Sequence, residues 1–385
     1  MSADISMENR GYWFKGLLER YGLLAVLVAL IVFFGSNEPT FFAPINITSI
    51  LRAASVTFIM VCGLTWIVAT GKIDVSFYTM AALANVVSAT LVQLGWDWVT
   101  AYLVVLVIGA VVGIVNGYLI NYLGLSDLVV TICSASFLGS LALMLADGSS
   151  FGIERPGWLS EFMHTTFGEA FVSGDGAGAT AIGAVPLVLL VAAIVLFVSW
   201  YLQERLTFGH YIYAQEGNYE AVHEAGVNVR RLNLLLFVYS ALMSATAGVL
   251  IAAEFKTGQP TMGASYFVDG LTAVFLGSLV LRVGQANVLG TMVGILILIV
   301  VSKGAAALGW LSNEGIGEIR EEIKVIEYND LQELGKYIGR NIYRTTNSIK
   351  EISFEPLEGY RKLNVSEKLE YIAGLMQGYL THLNS

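Results

Sequence analysis

Nine stretches of the chain are almost uninterrupted apolar sequence, separated by short polar segments. They run approximately Leu18 to Ser36, Thr48 to Thr70, Val75 to Gly95, Val99 to Leu123, Leu128 to Asp147, Ala184 to Gln203, Leu234 to Phe255, Phe267 to Leu281 and Val288 to Trp310. About 20 helical residues cross about 30 Å of hydrocarbon, so the pattern predicts an all-α polytopic bundle of about nine membrane spans, the eighth of them short. The first run is followed by Gly35-Ser36-Asn37-Glu38-Pro39, which offers no small-x-small cleavage site, so it reads as a retained helix rather than a signal peptide.

Composition agrees with a chain that lives in lipid. Of 385 residues, 56% are hydrophobic and 13% charged, with a mean hydropathy of +0.67, where an average soluble domain carries about 25% charged residues. The net charge of −9 is spread along the chain and no basic run is present, which excludes nucleic acid as a partner. Cys62 and Cys133 both fall inside apolar runs and read as small buried hydrophobes. Loop charge then sets orientation, because Lys and Arg stay cytoplasmic. Arg10, Lys15 and Arg20 precede the first run, and the loop from Asn37 to Ile47 has no Lys or Arg. The amino end is therefore inside. Alternation places Lys72, the segment Glu204 to Asn233 and Arg282 inside too, with Arg155 and Lys256 read as the only basic residues left outside.

Small residues at four-residue spacing let helix backbones approach closely in lipid. Gly109, Gly113 and Gly117 form one such stripe, Ser240, Ser244 and Gly248 a second, and Gly290 with Gly294 a third; all three read as packing surfaces. Polar groups inside a membrane are costly and point more directly to function. Asp74 follows the second run in Thr70-Gly71-Lys72-Ile73-Asp74-Val75-Ser76, with Lys72 as a salt-bridge partner; it is a candidate for the translocation path or, equally, for the cap of a third helix. Asp269, Asn85, Asn116 and Asn121 are the other candidates, although interhelical hydrogen bonding is the simpler role for Asn116 and Asn121. His164, His210, His223 and His382 are scattered over loops and tail with no metal-like spacing.

The long polar segment from Thr207 to Arg231 carries a short helix-prone stretch, Asn218 to Ala225, started by Asn218 as a cap and stopped by Gly226. It is too polar to enter lipid. It serves either as an ordinary connection or as a surface on which another protein docks.

This segment resembles the coupling loop of the monosaccharide-type ATP-binding cassette permeases, the family of the ribose, xylose and related sugar importers. The likeness lies in a Thr-x-Gly start at Thr207, an Asn-x-x-Ala core at Asn218 and the exit Gly226-Val227-Asn228-Val229-Arg230. It extends to Phe42-Ala43-Pro44-Ile45-Asn46, to Thr70-Gly71-Lys72-Ile73-Asp74-Val75-Ser76, which is similar to the family's Thr-Gly-Gly-Ile-Asp-Leu-Ser signature, and to Gly113 through Gly124 with Thr131. Tyr239 to Gly248 and Val288-Leu289-Gly290-Thr291 continue it in family order.

The resemblance implies a permease of the bacterial inner membrane that pairs with a second permease copy, as homo- or heterodimer. Such a permease receives solute from a periplasmic solute-binding protein. Two cytoplasmic ATPase subunits drive it, gripping Asn218, Glu220, Ala221, Glu224, Ala225 and Gly226. The sequence contains no Gly-x-x-x-x-Gly-Lys-Ser/Thr phosphate loop, so ATP is expected on a partner, with no cofactor and no enzymatic activity on this chain. Departures from the family pattern are Phe77-Tyr78 after the Ile-Asp stretch, the pair Gln215-Glu216, more acidic than the usual coupling loop, and Leu281-Arg282-Val283 in place of a more glycine-rich turn.

From residue 313 onward the composition changes. Residues 313–385 hold 12 acidic and 9 basic residues, against 30 charged residues in the preceding 312, so the chain reads as a permease domain, 1–312, and a charged soluble tail, 313–385. Ile316, Ile319, Ile323 and Ile326 recur at helical spacing, and Ser366 caps a run through Leu369, Ile372, Leu375, Met376, Tyr379 and Leu380. The family carries a tenth span, which the tail does not supply, so a truncated, inactive permease stays open as an alternative. A secondary transporter or channel is the other. It calls for ionisable groups within several spans, and the helix centres read as nearly free of them.

Overall fold

Lipid offers no partner to backbone N–H and C=O groups, so an apolar run that crosses it must bond to itself as a helix. The computed structural model, which describes residues 21–168 and 185–310, turns each of the nine apolar runs into a helix. These are α1 (Tyr21–Asn37), α2 (Pro44–Val68), α3 (Phe77–Gln93), α4 (Trp98–Asn121), α5 (Asp127–Leu145), α7 (Val188–Arg205), α10 (Val229–Phe255), α11 (Gly263–Gly277) and α12 (Val288–Ala307). Six of them, α2, α4, α5, α7, α10 and α12, are long and apolar enough to cross a membrane, while α1 and α3 are shorter apolar helices and α11 has 15 residues. The protein is a multi-pass helical membrane bundle. Among the described residues, three short α-helices lie in the connections: α6 (Gly157–His164), α8 (Thr207–Gly217) and α9 (Tyr219–Glu224). The strands β1 (Phe151–Gly152) and β2 (Thr257–Gly258) pair antiparallel.

The chain divides into two units, Met1–Asn313 and Glu314–Ser385. The tail positions named above lie outside the described residues, as do Arg10, Lys15, Arg20 and His382.

Helix α10 is the centre of the bundle, against which α2, α3 and α4 pack. The stripes of small residues make that possible. A Cβ on Gly113 would stand 2.5 Å from the Val238 Cα, and one on Gly117 3.0 Å from the Leu234 Cα, so α4 lies directly on the α10 backbone. Ser240 of the second stripe faces Gly63 of α2, and Gly248 meets the Ala81 carbonyl of α3. The third stripe, Gly290 and Gly294, closes α12 onto Gly277 and Ala273 of α11. Backbone contact of this kind replaces a hydrophobic drive that is absent between helices in lipid. Helices α2 and α10 are mostly buried, whereas α4, α5 and α7 leave most of their apolar surface uncovered by this chain.

The loops gather at two ends. One end holds the α2–α3 turn, the α7–α10 connection with α8 and α9, and the α11–α12 turn; the other holds the β1–β2 pair, α6 and the α3–α4 turn. These are the ends that the loop charges assign to the inside and the outside.

Candidate coupling site

Asn218 begins α9 as the sequence leads one to expect. Its side-chain Oδ1 accepts a hydrogen bond from the Ala221 N–H at 3.0 Å, satisfying one of the free amides of a helix start. Gly226 ends the turn at φ +84°, a left-handed conformation that disfavours any residue with a Cβ, and its N–H donates to the His223 carbonyl. Val222 alone is buried in α9; Asn218, Glu220, Ala221, Glu224, Ala225 and Gly226 are all exposed. The six residues therefore form one outward surface at the inner end of the bundle. Asn228 then caps α10, accepting from the Arg231 N–H at 3.0 Å.

Several contacts tie this segment to the bundle. Leu206 is extended (φ −104°, ψ 153°), so α8 doubles back on the end of α7 and Gly209 abuts the Gln203 carbonyl. Buried Gln203 accepts from the Val288 N–H at 2.9 Å and donates to the Ala286 carbonyl at 3.4 Å. Beside it, Arg282 Nη2 donates to Glu204 Oε2 at 2.6 Å, and the Arg282 guanidinium lies 4.5 Å from the centre of the Tyr213 ring. Burial, and then the Glu204 carboxylate, push the Tyr213 phenol well above its ordinary range, against the pull of Arg282. Phe208 of α8 meets Trp66 of α2 edge-on at 5.5 Å, and Glu216 lies against Gly71 of the α2–α3 turn.

Asp74 is buried and sits in that turn. Its Oδ1 accepts from the Ser76 N–H at 2.8 Å and the Ser76 hydroxyl at 2.6 Å, and its Oδ2 accepts from the Ser240 hydroxyl of α10 at 2.9 Å. Lys72 forms no ion pair with it among the described residues, so the salt bridge expected from the sequence gives way to hydroxyl donors. The Ser76 hydroxyl in turn accepts from Asn116 Nδ2 at 3.1 Å, and the Ser134 hydroxyl donates to Asn116 Oδ1. One continuous polar chain thus joins α10, the start of α3, α4 and α5. Asn121 donates to the Gly117 carbonyl within its own helix. Asn85, far from this chain, accepts from the Gln259 N–H at 2.6 Å and donates to the Thr257 carbonyl, fixing the β2 turn at the outer end. Asp269 is exposed on α11. The four path candidates are therefore not one cluster: only Asp74 and Asn116 are linked.

With this geometry in place, comparison with known proteins is decisive. The family described as branched-chain amino acid transport system / permease component matches residues 46–329. The chain belongs to this permease family. The ribose import permease protein RbsC of Escherichia coli (strain K12) is 30% identical over 308 residues, which cover 79% of this chain and 91% of that protein. RbsC of Bacillus subtilis (strain 168) is 29% identical over 306 residues, 80% of this chain and 91% of that protein. The L-arabinose transport system permease protein AraH of Escherichia coli (strain K12) is 30% identical over 293 residues, 74% of this chain and 82% of that protein. No solved structure matches.

The permease also holds ionisable groups that the hydropathy pattern hid. Arg52 lies in α2, Glu254 in α10 and Lys303 in α12, all toward the outer end, so Arg155 and Lys256 are not the only basic residues on that side. Arg52 and Lys303 are within electrostatic reach of Glu254, and Arg52 Nη2 reaches the His164 carbonyl of α6 at 3.5 Å. A single charge in a run of about twenty apolar residues barely moves a window average. Only the fold shows that three of them converge.

Proposed function

We propose that the protein is the membrane-spanning subunit of an ATP-binding cassette importer in the bacterial inner membrane, carrying a small sugar or sugar-like solute. The observation that carries the reading is α9, a capped helix with an exposed polar face, bound to the bundle only on its inner side. Relatives named for ribose and L-arabinose transport support the solute class. ATPase subunits dock on Asn218, Glu220, Ala221, Glu224, Ala225 and Gly226; a periplasmic solute-binding protein delivers at the opposite end; a second permease copy completes the pathway. ATP stays with the ATPase partner. Closure of the ATPases presses α9 toward the membrane and rocks the helices between outward-open and inward-open arrangements.

Of the path candidates, Asp269 alone has an exposed side chain to offer a passing solute. Asp74, Asn85 and Asn116 commit their polar atoms to internal bonds, so they act on the path by placing helices.

Gly226→Val tests the coupling assignment. A β-branched residue at φ +84° carries strain of about 1–3 kcal/mol, and its relief tilts the docking face away from its productive form by about tenfold or more. A Cβ at Gly226 meets nothing within 4 Å, so insertion proceeds as in the wild type. Uptake of radiolabelled ribose or arabinose in cells is expected to collapse while membrane content holds. Wild-type uptake by the variant removes α9 from the coupling role.

A further inference from the structure

Two of the routes from the coupling segment into the bundle differ in stiffness. Toward α10 the route is covalent and passes through a left-handed glycine, Gly226, followed by Val227 and the cap residue Asn228. Toward α11 and α12 it passes through side chains that lock. Gln203, buried, bonds the backbone of Ala286 and Val288 at the start of α12. One residue on, Glu204 holds Arg282, which lies over the ring of Tyr213 in α8.

The far end of that route is itself rigid. Asn287 donates to the carbonyls of Gly277, Val280 and Gln285 and accepts from the Gly290 N–H at 2.7 Å, knotting the α11–α12 turn. The turn aims Arg282 at a cost. Leu281, just before it, stands at φ +64°, a conformation that strains a residue with a branched side chain. Strain held at one position by a well-bonded surround marks a residue whose placement matters.

We propose that Arg282 is the positioning residue that passes the ATPase-driven movement of α8 and α9 to the α11–α12 hairpin, through Glu204 on one side and the face of Tyr213 on the other. The inference rests on the coupling reading above and goes beyond it, because it names which helices receive the stroke. A paired, stacked guanidinium suits this role. Its Nη2 engages the carboxylate while the guanidinium lies on the ring, so displacement of either partner drags the other.

The test uses the full chain in complex with its ATPase, in proteoliposomes. A Cys133→Ser background removes the exposed native thiol, and Leu279→Cys, in the hairpin turn and about half exposed, reports the hairpin by its rate of maleimide labelling. Trapping the ATPase with ADP and vanadate is expected to change that rate about fivefold or more. Arg282→Gln and Tyr213→Leu abolish the change while ATPase binding and thermal stability stay near the wild type. Arg282→Lys, which keeps a cation for Glu204 but loses the flat guanidinium face on Tyr213, restores only part of it with no shift in melting temperature, which a merely structural role does not explain. A rate change that survives Arg282→Gln, or no rate change in the otherwise wild-type chain, overturns the proposal. Failure of that chain to bind the ATPase at all is a different result, and it overturns the coupling reading on which the proposal stands.

Discussion

Gly209→Val is expected to leave the permease without a stable fold in detergent or membrane. Helix α8 starts two residues after α7 ends, and the return of the chain sets Gly209 directly against the Gln203 carbonyl. The Gln203 residue cannot yield, because its side chain is bonded to the backbone of Ala286 and Val288. A Cβ at position 209 therefore meets backbone rather than a flexible side chain, and the cost exceeds the roughly 1–3 kcal/mol of ordinary overpacking. Fluorescence-detected size-exclusion of a tagged chain is expected to show loss of the monodisperse peak. Gly217→Ala, in the same helix where an added Cβ meets nothing within 4 Å, keeps it. A normal peak for Gly209→Val contradicts the placement of α8.

Asp74→Ala is the second large effect. The substitution strands the Ser76 N–H and the hydroxyls of Ser76 and Ser240 in a buried site. Each buried polar group left unpaired costs about 1–3 kcal/mol, and only local water or rotation of a hydroxyl recovers part of it. The loss also loosens Asn116, which bonds the Ser76 hydroxyl, so four helices feel it. Thermal unfolding in detergent is expected to fall sharply for Asp74→Ala and less for Asp74→Asn, which keeps one carbonyl acceptor. Equal melting of Asp74→Ala and the wild type contradicts the network. Loss of transport in Asp74→Ala reports the fold, so Asp269→Ala is the cleaner probe of the path.

The nine apolar helices were legible because each run is almost uninterrupted by charge, and a single residue such as Asn218 or Gly226 announces a helix boundary by local chemistry alone. The small-residue stripes were equally legible, since four-residue spacing puts Gly109, Gly113 and Gly117 on one face before any partner is known. Which helix they face was not. Contacts between residues distant in sequence stayed hidden: Asp74 looks to its neighbour Lys72 on paper but bonds Ser240, and Glu204 finds Arg282 with α8 through α11 between them in the chain. Asn85 looked like a path residue for the same reason, its backbone partners being 172 and 174 residues away. Arg52, Glu254 and Lys303 escaped notice because each is outvoted by apolar neighbours. The departure Leu281-Arg282-Val283 was visible in the sequence, and the fold gives it a meaning: Leu281 takes the left-handed position that a glycine would hold without strain.

The central claim is that this permease is driven from outside itself by an ATPase seated on α9. Co-purification of the tagged chain from detergent-solubilised bacterial membranes, followed by mass spectrometry of what accompanies it, tests that claim most directly. Recovery of an ATP-binding cassette ATPase with the wild-type chain is the predicted result; recovery of a folded chain with no ATPase beside it would contradict the claim.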